Sequence, residues 1–222
     1  MLIKELRLQS GNILSLFSFY KEVLEMSVSR SGSEITITAG ETKLIFEKAA
    51  ENENPFYHFA FNIPSNKFEE AYESTKEKVK LLWLKDYDGF IADFVNWHAK
   101  SFYFKDPAGN ILEMISRFDL NNPVEKTFST AQIKNISEIG IVFPYDTFDE
   151  DVKKMIKEYS LDYFDKQRPL EHFRAIGNDE GLFIAVPENR VWFATEDNAK
   201  ICRTEVAFID KNKLHKLILT CD

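Results

Sequence analysis

The sequence predicts an α+β fold built from tandem copies of one unit: a strand, a helix, then three more strands. Three observations carry this. Strand-like alternation gives way to a helical apolar stripe and returns as strands, in the same order, from residues 3, 57 and 136. A titratable residue sits at one position of each first strand: Glu5, His58, Glu138, and Glu205 in a fourth copy. Phenylalanine is over-used, at 20 of 222 residues, which suits sheets with aromatic faces.

In the first copy, residues 3–9 alternate polar and apolar as a half-buried strand does. Asn12 is placed to cap a helix whose stripe is Ile13, Leu16, Phe17, Tyr20, Val23 and Leu24. Strands are expected near 26–31, 34–39 and 43–48, with a turn at Gly40-Glu41. In the second copy, 58–63 is a strand, Asn66 and Glu69 form a capping pair, and Phe68, Ala71, Tyr72 and Val79 mark the helix face. Strands then fall near 80–86, 101–105 and 111–116, with an aromatic loop over 87–100. In the third copy, 138–143 is a strand, Thr147 and Glu150 form a capping box, and strands follow near 161–165, 173–177 and 181–186. The fourth opens with a strand at 203–208.

Apolar residues make up 44% and charged residues 29% of the chain, enough for a packed core. A net charge of −8 argues against nucleic-acid and anionic-membrane partners and fits a small-molecule pocket. The two cysteines, Cys202 and Cys221, give no zinc spacing, and a reducing cytoplasm is the simpler expectation. No apolar run suggests a signal peptide or membrane span.

Residues 119–135 have linker composition, dividing a complete two-module domain (1–118) from a reduced one (136–222: a third module plus the first strand of a fourth). Only 17 residues follow Glu205, against 55 between His58 and Glu113, so the second half is expected to lack a full cup. Its open face over 173–209 then needs cover from the first domain or from a second chain in a homodimer.

The sharpest local signal runs from Phe102 to Ile115. Asp106-Pro107-Ala108-Gly109-Asn110 is turn chemistry between two strands. On the second strand, Glu113 shares a face with Ile111 and Ile115, and a carboxylate there needs a cation or hydrogen bonds to offset its burial.

His58 opening a strand, followed by aromatic-x-Asp-Pro-x-Gly-Asn-x-x-Glu ending at Glu113, resembles a module of the vicinal oxygen chelate superfamily, which holds glyoxalase, bleomycin-resistance and extradiol-dioxygenase proteins. The resemblance implies βαβββ modules paired into cupped mixed sheets, with helices outside and metal ligands on the first and last strands. Carried over, the ligands are Glu5, His58 and Glu113. The fourth slot falls on Lys43, which as a cation does not ligate, a departure from four-ligand glyoxalase I. Three ligands still suit a divalent ion (zinc, iron, manganese or nickel) with open positions. Lys43, Arg7, Tyr103 and His98 are the candidate substrate contacts. The plainer readings are a Glu5–Lys43 ion pair and a His58–Glu113 hydrogen bond in a metal-free cup. Glu138 and Glu205 lack a companion histidine and motif, so the second half is expected to be structural. The implied function is a metal-dependent lyase, isomerase or dioxygenase acting on a small oxygen-rich substrate. A metal-free binding or resistance protein and a dimerising scaffold are the alternatives.

Overall fold

The computed structural model describes residues 1–220; Cys221 lies outside them. The first copy gives β1 (Leu2–Ser10), α1 (Ile13–Ser18, running on as a π-turn through Phe19–Val23), β2 (Ser27–Ser31), β3 (Glu34–Ala39) and β4 (Thr42–Lys48). Asn12 caps α1, its side chain accepting from the Ser15 amide at 3.4 Å. The second copy gives β5 (His58–Ile63), α2 (Phe68–Lys76), β6 (Ala92–Phe94), β7 (Ala99–Lys105) and β8 (Ile111–Arg117). The third gives β9 (Asn135–Phe143), α3 (Phe148–Tyr159), β10 (Arg174–Asn178) and β11 (Gly181–Pro187). The fourth is an antiparallel hairpin, β12 (Thr204–Asp210) and β13 (Lys213–Leu219), one strand more than expected.

These strands form two mixed sheets, ordered β13-β12-β1-β4-β3-β2 and β10-β11-β9-β5-β8-β7-β6. The first copy therefore joins the fourth, and the second joins the third. The expected pairing of the two copies within 1–118 does not occur: β5 lies between β8, parallel, and β9, antiparallel. The segment before β9 explains the exchange. It threads between the sheets, with Glu41 donating its amide to the Lys134 carbonyl and Lys134 donating to that of Asn62. The Thr42 hydroxyl donates to Ile3 and accepts from the Ile136 amide at 3.0 Å. Chain 136–143 is thereby delivered to the open edge of β5. Within the segment 173–209, the strand edges are covered by the chain itself, because β11 joins β9 and β12 joins β1.

Alternation sorts each strand into two faces. Leu6, Leu8, Leu44 and Phe46 of one sheet, and Phe59, Phe61, Leu112, Met114, Ile139 and Phe183 of the other, share one buried cluster with Leu16, Phe68 and Met155 of the helices. Burying each such side chain stabilises by roughly 1.5–3 kcal/mol, so this shared core fixes the sheets back to back. The opposite face of the seven-stranded sheet presents His58, Tyr103, Glu113, Glu138 and Ile184, covered by loops around 84–97 and 189–199. The opposite face of the six-stranded sheet carries partly exposed charged residues, among them Glu5, Arg7 and Glu47, around the buried Ile45.

Several local expectations change. Residues 80–86 make only isolated bridges, Leu81 with Phe104 and Leu84 with Gly89, and the paired strand falls inside the expected loop, at β6. Residues 161–165 likewise form a single bridge, Tyr163 with Ile176. Asn66 does not cap α2; it exchanges hydrogen bonds with the Val124 backbone and anchors the connection between copies. The Thr147 hydroxyl donates to Asp151 rather than closing a capping box. In these last two cases the side chain bonds to another partner instead of the helix amides. No helix among the described residues is long and apolar enough to cross a membrane.

Candidate metal centre

The Asp106–Asn110 turn builds the site. Asp106 Oδ1 accepts from the Ala108 and Asn110 amides at 2.9 and 3.0 Å, and its Oδ2 accepts from Asn110 Nδ2 and the Tyr20 hydroxyl. Burial raises this carboxyl to about 6, against those hydrogen bonds. Asn110 Oδ1 then accepts from the Tyr57 amide at 2.9 Å, and the Ile111 amide donates to the Tyr57 carbonyl at 2.8 Å. The turn thus fixes where β8 starts relative to β5, setting Ala60 opposite Glu113 with His58 two residues away.

His58, Glu113 and Glu138 converge, with one potential ligand atom from each lying within 4.8 Å of the others. His58 Nε2 stands 3.6 Å from Glu113 Oε2 and 4.0 Å from Glu138 Oε2. Its Nδ1 lies 3.2 Å from the Ile111 carbonyl; a proton on Nδ1 leaves Nε2 as a lone pair facing two carboxylates. Burial lowers the His58 imidazole to about 4, assisted by the charge of Arg190 and opposed by the Ile111 carbonyl. Burial, and then the charge of Glu138, hold the Glu113 carboxyl well above the usual carboxylate range, against Ser101, Tyr103 and Arg117. Burial raises Glu138 as well, against its ion pair with the fully buried Arg117.

Around these groups lies a cavity of about 250 Å³ with mainly aromatic and apolar walls, including Phe94, Trp97, Tyr103, Phe173, Trp192 and Phe193. Gly140 of β9 admits Trp192, whose Cη2 would lie 2.5 Å from a Cβ added there. Of the residues expected from sequence, the structure brings together His58, Glu113 and Tyr103. Glu5 is on β1 of the other sheet, 3.8 Å from Arg7, and Glu138 stands at the cluster in its place. Arg7 is engaged by Glu34 and Glu47 on that same solvent-facing surface. Lys43 pairs in register with Glu5 and is exposed. Its face parity is as expected, since Leu44 and Phe46 are buried, but that face belongs to the other sheet and does not line the cavity. The ladder also shifts the slot: Arg7 pairs with Ile45 as Ala60 pairs with Glu113, so Ile45 is the counterpart of Glu113. His98 is exposed, bonded to Asp119 at 2.6 Å, and does not line the cavity. Sequence reasoning missed Arg117, Arg190 and Trp192. Arg117 was accessible, since it shares strand parity with Glu113; the other two lie on an irregular loop with no periodic signal.

No family model and no curated protein matches the sequence. Solved structures do. A Bacillus subtilis protein provisionally described as a dioxygenase matches over 98% of this chain and 69% of its own, with a TM-score of 0.57 at 13% identity. This chain shares the fold of that protein. Shorter matches include a lactoylglutathione lyase from Agrobacterium tumefaciens (19% identity, 50% of this chain and 90% of that one, TM-score 0.40). Another is a glyoxalase/bleomycin resistance protein/dioxygenase from Nocardioides (18% identity, 57% and 89%, TM-score 0.41).

The cup suits a divalent cation on its own chemistry. His58 Nε2 faces the two carboxyl groups at 3.6 and 4.0 Å, and the three ligand atoms lie within 4.8 Å of one another. Glu113 Oε1 is buried without a partner. Ligand bonds of roughly 2.0–2.2 Å place neighbouring donors about 3–3.5 Å apart, so side-chain shifts of well under 1 Å close the His58–Glu113 gap. The fourth slot, on β11, is Ile184, which pairs in register with Gly140 and offers no donor.

Proposed function

We propose that this chain is a metal-dependent enzyme of the vicinal oxygen chelate type acting on a small oxygen-rich substrate, with His58, Glu113 and Glu138 holding one divalent ion. The observation that carries this is the convergence of three buried side chains, each offering one ligand atom within 4.8 Å of the others. Zinc, iron, manganese and nickel are all compatible with one imidazole and two carboxylates. When bound, the ion would supply Lewis-acid polarisation of adjacent substrate oxygens. The chain's own residues do the rest. The Ile111 carbonyl fixes the His58 tautomer, as outer partners of ligating histidines do. Arg117 engages Glu138 Oε1 and leaves Oε2 turned toward His58. Trp192, Phe193 and Phe94 keep the cup dry, which strengthens every charge interaction inside it. Whether the chemistry is lyase, isomerase or dioxygenase depends on substrate groups, not on the fold.

Chelator-stripped protein reloaded with each metal, followed by calorimetry and elemental analysis, tests this. One ion per chain is expected. His58→Ala, Glu113→Ala and Glu138→Ala should each weaken binding at least about tenfold, with Glu5→Ala as the unaffected control. Loading unchanged in Glu113→Ala would sink the assignment and favour the metal-free binding protein.

A further inference from the structure

Arg190 is unlike the other arginines that are not exposed. Arg7 pairs with Glu34 and Glu47, Arg117 with Glu138, and Arg174 with Asp149. Arg190 pairs with no carboxylate among the described residues. Its guanidinium lies over the Phe173 ring at 5.4 Å and donates to the Val191 carbonyl at 3.3 Å, leaving most of its donors free. It lines the cup and is half-buried, in a chain with 36 acidic and 28 basic residues. A desolvated cation without a counter-ion is costly unless its partner arrives with the ligand. Once a divalent ion balances Glu113 and Glu138, Arg117 still has Asp179 at 3.6 Å, whereas Arg190 remains without a carboxylate.

The walls specify the rest of the ligand. Aromatic faces from Trp192, Phe193, Tyr103 and Phe94 suit a flat ring. An apolar cavity of about 150 Å³ accepts benzene, so about 250 Å³ holds one ring with small polar substituents.

We propose that the cup takes a single-ring aromatic anion, its carboxylate or equivalent group held by Arg190 and its ring against Trp192 and Phe193. The orientation of its oxygens toward His58, Glu113 and Glu138 rests on the metal reading above; the preference for an anion does not.

Trp97 and Trp192 line the cup, so tryptophan fluorescence reports occupancy. Benzoate and the isosteric neutral benzamide are titrated into chelator-treated protein, then 3,4-dihydroxybenzoate and catechol into zinc-loaded protein. Each anion is expected to bind about tenfold more tightly than its neutral partner, in keeping with a charge-assisted hydrogen bond. Arg190→Gln should reduce the ratio to below about twofold with neutral-ligand affinity retained, and Arg190→Lys should keep part of it. Equal affinities, no binding by either probe of the metal-free pair, or a preference that survives Arg190→Gln overturns the inference. If zinc fails to load while the Arg190-dependent preference persists, the metal reading falls and this one stands.

Discussion

Replacing Arg117 by methionine tests whether the cup is held by a buried charge. Arg117 has no exposed surface. It pairs with Glu138, lies 3.6 Å from Asp179 Oδ1, and places its guanidinium 5.4 Å from the Trp97 ring and 6.0 Å from that of Phe164. Methionine refills most of the volume, so the loss is mainly electrostatic. Removing one partner of a buried ion pair costs about 3–5 kcal/mol. Two features place this case at the low end. Asp179 keeps Lys166 at 2.6 Å, and Glu138 already holds a proton more readily than a free carboxylate and takes one up when orphaned. A loss of about 3 kcal/mol follows, or roughly 6–12 °C in Tm for a chain of this size. Urea and thermal unfolding of chelator-treated protein at pH 7 measure it. Glu138→Gln in the same chain should recover much of the loss, giving a coupling of about 2 kcal/mol in the double-mutant cycle. A loss below about 1 kcal/mol, or an additive cycle, would refute the claim that Arg117 is the counter-charge of the cup.

Two further outcomes are expected. His58 titrates at about 4 in the folded chain against an ordinary 6.5, so below pH 6.5 the unfolded state binds more protons and stability falls as pH drops toward 4. Relative to His58→Asn, the wild type should lose up to about 1.4 kcal/mol per pH unit across that window, measured by urea unfolding at stepped pH; parallel pH profiles would contradict a buried neutral imidazole. Gly140→Ala sets a methyl against the Trp192 ring and, at 3.3 Å, the His58 carbonyl. It should displace Trp192 and weaken benzoate binding several-fold by fluorescence titration, at a stability cost of about 1–3 kcal/mol; unchanged tryptophan emission would show that the ring has room to move.

The sequence by itself determined the unit of the fold and half of the cup. Alternation assigns faces to strands without knowledge of neighbours, so Leu112 and Met114 read as core and Glu113 as opposite to them. The Asp106–Asn110 turn is local chemistry, closed within five residues, and it delivers Glu113 beside His58 through a parallel pair inside one copy. What periodicity does not encode is which strand edge meets which, because every first strand carries the same pattern and any two can pair. Glu138 was visible in the repeated slot beside Glu5 and Glu205, yet only the β5–β9 ladder selects it over them. The same holds for Lys43, whose match to Glu113 was off by two residues because register is set by inter-strand hydrogen bonds. Arg190 and Trp192 belong to a loop without period, and the indole of Trp192 fits there only because Gly140, on a different strand, leaves space for it. Local chemistry wrote the motif, and long-range edge pairing chose the partner that completes it.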